Sequence, residues 1–282
     1  MAGLFGLFNF EKEGPGIAKD APKKKTFIVF FETFFRNFWK FIPLNIVYTI
    51  MSLPLITSGL ANAGITNIAR NTARDKHSFG MSDFFETIKK NWKQALPAGI
   101  INTIIYILLI AVAAIYFISV DGFMGSLGLG VMLSALLVFT MMNMYMWTLM
   151  ITFKFKLGQI YKNSFRFAFI SLFKNFGCLL CLASVYAAMA GLLVLAFYKL
   201  PAEAFVYLAT LEAILYTIFY PSFKFLLIQY FIFPSVKKHI IDPYYAEHPD
   251  EDIERRKDLG LEVEEDDDDD DDDDDEELVF YD

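Results

Sequence analysis

The chain has 282 residues, of which 55% are hydrophobic and 17% aromatic, with a mean hydropathy of +0.40 and a formal net charge of −8. That apolar share exceeds the roughly 45–50% of soluble domains and falls in long blocks, which excludes one large soluble core and implies membrane-spanning helices. The negative charge misleads: 23 acidic and three basic residues lie from His239 onward, leaving 22 basic against 10 acidic before it, a surplus suited to a face turned toward anionic lipid headgroups.

Residues 1–25 open with MAGLFGLFNF followed by EKEGPG. A basic n-region and a small-residue cleavage site are both missing, so no cleaved signal peptide is expected. Ala2 stands where N-myristoylation requires glycine. Lys23, Lys24 and Lys25 mark a first cytoplasmic segment, and residues 1–25 are treated as an N-terminal unit ahead of a membrane domain over 26–240.

The stretch 30–43, FFETFFRNFWKFIP, has a second copy at 84–97, FFETIKKNWKQALP. Phe-Phe-Glu-Thr recurs, then a basic residue and Asn (Arg36-Asn37; Lys90-Asn91), then Trp-Lys, then a proline opening an apolar run. A fainter third copy, FISLFKNFGCLL from Phe169, keeps the Lys174-Asn175-Phe176 core. Each copy reads as an amphipathic helix at the membrane surface feeding a helix that enters the bilayer.

The first span is expected over 38–56, broken near its end by Pro54. Residues 57–73, TSGLANAGITNIARNTA, offer only about 13 positions before Arg70, short of the roughly 20 a span needs. Charge sets their direction: a short helix returning to the starting side places every basic cluster on one face. Its small residues, Ser58, Gly59, Ala61, Ala63 and Gly64, allow close helix contact, so it reads as a half-helix buried in protein. Further spans are expected over 96–118, 127–153, 176–198 and 204–233, with a connection over 121–126 that carries no basic residue. The fold class is therefore all-α: a polytopic membrane bundle of about six helices in three tandem hairpins, each preceded by an amphipathic surface helix, with both termini cytoplasmic. From residue 241 to 282 the composition changes to an acidic tail with ten consecutive aspartates at 266–275, expected to be disordered and solvated.

Lys224 lies about nine residues inside the last span, roughly 13 Å along the helix. An ionisable group at that depth faces a cavity, a partner or the interface, so Lys224 is a candidate polar-pathway residue, with snorkelling to the cytoplasmic face as the plainer reading. Glu212 shares the helix but is about 18 Å away and out of phase, so the two cannot pair directly. Glu32, Arg36, Asn37, Glu86, Lys90, Asn91, Lys174 and Asn175 form a candidate cytoplasmic docking set. The plainer reading is that Glu and the basic residue at i, i+4 stabilise each surface helix while Asn hydrogen-bonds at the entrance to the span. The aspartate run lacks the spaced ligands and glycine turn of a calcium loop, and Cys178 and Cys181 read as two buried thiols. No HExxH, nucleophile elbow, P-loop or dinucleotide turn occurs, and no nucleic-acid recognition fold is visible. No catalytic, metal or cofactor residues are assigned, and no enzyme activity is expected.

Together GLFGLFNFEKEGPG, FFETFFRNFWKFIPLN, SLPLITSGLANAGITNIARN and SDFFETIKKNWKQ resemble the YesL-like family of bacterial integral membrane proteins, a domain of unknown function. The resemblance is strongest over residues 1–105, and the acidic tail is outside its pattern. It implies the bacterial cytoplasmic membrane and an accessory role beside a carbohydrate transporter, while the sequence itself shows no sugar site. The leading expectation is a non-enzymatic accessory or regulatory membrane protein whose partners are the bilayer and a transporter or other membrane protein. The rival is a small-solute transporter or channel with a polar site near Lys224 and Glu212.

Overall fold

The computed structural model describes residues 26–76 and 78–248. Among these residues there are nine α-helices and no strand: α1 (Thr26–Arg36), α2 (Phe38–Ser52), α3 (Ser58–Ala73), α4 (Met81–Ser119), α5 (Gly122–Thr152), α6 (Leu157–Ile170), α7 (Leu172–Lys199), α8 (Ala202–Val236) and α9 (Asp242–Glu247). A π-helical turn, Lys237–Ile241, joins α8 to α9. Four helices, α4, α5, α7 and α8 with its continuation, are long and apolar enough to cross a membrane. Their most apolar stretches leave most side chains uncovered by protein. Such faces are stable only against lipid, so the chain is a multi-pass membrane protein.

The long helices are buried at one end only. α4 buries Phe84, Thr87, Asn91, Ala95, Ala98, Gly99 and Asn102, then only Ala113 further on. α5 buries almost everything from Met144 to Thr152 but only Gly125 in its first half. α8 buries Glu212, and then a dense set from Tyr220 to Val236. Around this buried end pack α1, α2, α3 and α6. Aromatic rings fill it: Phe34 meets Phe219 at 4.7 Å and Phe223 at 5.6 Å, while Tyr145 stacks on Phe167 at 5.0 Å.

α2 and α3 form a shorter hairpin of 15 and 16 residues, roughly 23 Å each, against the roughly 30 Å of a hydrocarbon core. Pro54 sits in its turn, as expected, and Leu53, Leu55 and Ile56 project from the tip uncovered. α3 is buried along most of its length, also as expected. Glycine makes that contact feasible. A Cβ added to Gly99 would stand 2.6 Å from the Cα of Gly59, and one added to Gly64 would stand 2.7 Å from the Phe84 ring. The start of α3 thus lies against Gly99, whereas α4 continues about 20 residues more, roughly 30 Å.

Three sequence expectations change. The second surface helix and its span are one continuous helix, α4, with Pro97 inside it. Pro97 withholds one N–H, but a single missing bond within 39 residues, braced by α3 packing on Ala95 and Gly99, does not end the helix. The connection expected at 121–126 shrinks to Val120 and Asp121, because Gly122 adopts φ +76° and starts α5 at once. The tail boundary moves as well: α9 is ordered through Glu247, with Tyr244 and Tyr245 buried, and Tyr244 stacks on His248 at 4.5 Å. The aspartate run lies outside the described residues.

Polar side chains tie the helices together where water cannot reach. Pro221 interrupts the α8 hydrogen-bond ladder, and Asn45 of α2 inserts beside it. The Asn45 Nδ2 donates to the Ile218 carbonyl at 2.6 Å, and its Oδ1 accepts the Ser222 N–H at 2.9 Å. Tyr48 donates to Asn62 (α2 to α3, 2.9 Å), Asn67 to Thr87 (α3 to α4, 2.8 Å), Asn102 to Asn143 (α4 to α5, 2.7 Å) and Gln229 to Thr148 (α8 to α5, 2.9 Å). Tyr161 of α6 donates to the Asn102 Oδ1 at 2.7 Å. Burial pushes the Tyr161 phenol up to about 12, so it stays a donor throughout the physiological range. Each such bond is worth roughly 0.6 kcal/mol in a membrane bundle.

Asn45→Leu leaves the Ile218 carbonyl and Ser222 N–H without their partner and is expected to cost about 1–3 kcal/mol. The check is the unfolding temperature of purified protein in detergent, which should fall by several degrees, while Ile46→Leu on the lipid-exposed side of α2 should leave it unchanged. Gly99→Leu must push α3 away from α4. It is expected to cost about 1–3 kcal/mol of overpacking strain in the same assay.

Candidate functional site

At the buried end of the bundle the α1–α2 junction faces the loop between α3 and α4 across a cleft of about 230 Å³. The junction supplies Arg36, Asn37, Lys40 and Phe41; the end of α3 and its loop supply Ile68, Thr72, Asp75, Lys76, Ser78 and Gly80. Two local conformations shape the loop. Asp75 holds φ +52°, a left-handed conformation that Asp tolerates, and Gly80 holds φ +64°. Asp83 in the first turn of α4 ties down the segment before it, its Oδ2 accepting the Phe79 N–H and the Ser78 hydroxyl, both at 2.9 Å.

Charge in the cleft is mostly positive. The described lining holds Arg36, Lys40, Lys76 and the carboxylate of Asp75, which pairs with the Arg36 guanidinium. Both partners of this pair are largely exposed, so it is held weakly. The same segments carry exposed aromatic residues: Phe35, Trp39 and Phe79, next in sequence to Arg36, Lys40 and Gly80, are 60%, 80% and 75% exposed. Behind the cleft Arg70 is buried, donating from Nη1 to the Thr152 hydroxyl at 2.8 Å and from Nη2 to the Asn67 Oδ1 at 3.0 Å. Arg74 covers the Phe233 ring at 5.2 Å.

The repeated element keeps one pattern of exposure in its three copies, although the asparagine partners differ. The basic residue, Arg36, Lys90 or Lys174, is exposed, and the following Asn turns inward. Asn37 Nδ2 donates to the Thr33 carbonyl at 2.9 Å and Asn91 Nδ2 to the Thr87 carbonyl at 3.0 Å. Asn175 donates to the Phe167 carbonyl at 3.1 Å and accepts from Tyr145 at 2.7 Å. Asn91 and Asn175 are buried, so the docking set reduces on its exposed surface to Glu32, Arg36, Glu86, Lys90 and Lys174, with Asn37 half-buried. Glu86 and Lys90 pair at 3.1 Å, as their i, i+4 spacing implies.

Lys224 is half-buried, with its ammonium 5.1 Å from the Phe225 ring centre and within Coulombic range of Tyr106 on α4. Glu212 is buried, and its Oε2 has no hydrogen-bond partner. The helix keeps the two apart, and neither lines the cleft. Cys178 is buried as expected, but Cys181 is exposed on α7. Among the described residues no group of three His, Cys, Asp or Glu side chains gathers where it could hold a metal.

Sequence reasoning did not single out Lys40, Thr72, Asp75 or Lys76. The available signal was the Arg74-Asp75-Lys76 run closing a helix just before a glycine and an acidic helix start. Arg36 was found through the repeat.

Comparison with known proteins gives one match. No curated protein and no solved structure matches the chain. Residues 41–113 match the model of a family described as "Protein of unknown function, DUF624", so the matched region runs from Phe41 in α2 through all of α3 and into the apolar half of α4.

Proposed function

We propose that the protein is a non-enzymatic accessory or regulatory component of a bacterial cytoplasmic membrane, with both termini in the cytoplasm and its basic end docking another membrane protein. The observation that carries this reading is shared by the repeats: a cation is exposed in each copy while the adjacent Asn bonds to a backbone carbonyl earlier in the chain. A surface built three times over from exposed Arg36, Lys90 and Lys174 suits a partner with an acidic or anionic face. Several polar side chains supporting it bond to one another across helix pairs, a pattern that suits a closed bundle. Positive-inside bias supports the orientation, and the family resemblance supports a carbohydrate transporter as the partner class. In this reading α4, α5, α7 and α8 cross the bilayer, while the α2–α3 hairpin enters and leaves on the cytoplasmic side.

A small-solute transporter is the second reading. The buried carboxyl of Glu212, with one oxygen unpartnered among lipid-facing residues, favours it, together with Lys224 lower on the same helix.

Crosslinking and pull-down from native membranes separates the two. The intact chain is expected to recover a membrane transporter in stoichiometric amount, and the Lys90→Glu, Lys174→Glu variant is expected to lose at least nine-tenths of it, roughly 1.4 kcal/mol or more. Recovery of the chain alone, combined with solute uptake into liposomes that Glu212→Gln or Lys224→Met abolishes, would replace the accessory role with transport.

A further inference from the structure

The cleft between the α1–α2 junction and the α3–α4 loop shares Arg36 with the docking surface and adds Lys40 and Lys76 in a concave lining, on segments that also carry exposed aromatic residues. Arg36 enters from the last turn of α1, Lys40 from the first turn of α2, and Lys76 from the loop. Arg36 and Lys40 lie four residues apart at one junction, the fold brings Lys76 to them from the α3–α4 loop, and the three help to line a volume of about 230 Å³.

We propose that this cleft binds the phosphate group of an anionic phospholipid, with the headgroup seated among Arg36, Lys40 and Lys76 and the acyl chains lying over Phe35, Trp39 and Phe79. Phosphate suits the cations: guanidinium presents paired donors to its oxygens, and ammonium groups supply point charges. Thr72 adds a hydroxyl in the lining. The Arg36–Asp75 pair is exposed enough to be exchanged, so a phosphate oxygen takes the place of the Asp75 carboxylate on Arg36.

Exposed aromatic residues favour a lipid over a soluble phosphate compound. Trp39 is 80% exposed and Phe35 and Phe79 are 60% and 75% exposed, each beside a cleft residue in sequence, and such residues sit at the membrane–water boundary. A soluble ligand would leave them exposed. Acyl chains would cover them. The proposal also stands apart from partner docking, whose test changes Lys90 and Lys174, neither of which lines the cleft.

The test uses the full chain, purified in detergent and stripped of lipid, then titrated with phosphatidylglycerol while bound lipid is counted by native mass spectrometry. One phosphatidylglycerol is expected to bind more tightly than the rest. Lys40→Gln with Lys76→Gln should weaken that site by roughly tenfold or more. Asp75→Asn, which keeps a side chain tolerant of the left-handed backbone but removes the competing carboxylate, should strengthen it. The control pair Lys162→Gln, Lys174→Gln removes two cations from α6 and the start of α7 and should leave the site unchanged. Three results would overturn the proposal: equal loss in the control pair, no loss in the cleft pair, or glycerol 3-phosphate and inorganic phosphate competing as well as the lipid. The last would mean a soluble phosphate compound in place of a lipid. Should the cleft pair fail to fold, Asp75→Asn decides alone, and unchanged or weaker binding in that variant counts against the proposal.

Discussion

At membrane depth no water is available to accept or donate a hydrogen bond, so every interruption of a helix must be repaired by protein. The repair at Pro221 is the one on which the bundle most depends. Asn45 reaches from α2 to serve both the Ile218 carbonyl and the Ser222 N–H, a side-chain amide standing in for a stretch of backbone. Through it the short first hairpin is fixed to the last long helix across more than 170 positions of chain. The buried amides Asn102, Asn175 and Gln229, and the half-buried Asn67, extend the same logic to neighbouring helix pairs.

This demand accounts for the uneven distribution of packing. Most polar pins and the large aromatic cluster gather at the basic end, where the short helices pack around the long ones. Beyond Asn102 on α4 and before Tyr220 on α8, the helices present apolar side chains to lipid and bury few of them against one another. The outer halves therefore need only length and apolarity, whereas the inner halves need defined partners. Function is expected at the defined end, and the cleft and the exposed cations of the repeats both lie there.

Much of this was legible from residue order alone. The repeat announced three structurally equivalent positions, and the structure shows the equivalence in detail: Arg36, Lys90 and Lys174 point out, while Asn37, Asn91 and Asn175 bond to carbonyls. The small residues of 58–64 signalled close helix contact, and Gly59 meets Gly99. Three-dimensional convergence could not be read in this way. Arg36 and Asp75 are 39 positions apart, and nothing local in either segment names the other. Pro97 was read as a boundary because proline usually ends a helix, but packing by α3 holds α4 together through it. Tyr244 and Tyr245 looked like the start of an acidic tail because charge dominates the residues after them; their rings are buried instead.

The central structural claim is that the α2–α3 hairpin returns to the side from which it entered, with its tip at the level of Gly99 and short of the far ends of α4 and α5. Single cysteines at Leu55→Cys and Asp121→Cys, introduced with Cys178 and Cys181 replaced by serine, test it directly when intact cells are treated with a membrane-impermeant maleimide. The account predicts rapid labelling at position 121 and none at position 55 from outside. Equal labelling of the two would show that the hairpin crosses the bilayer and would contradict the account.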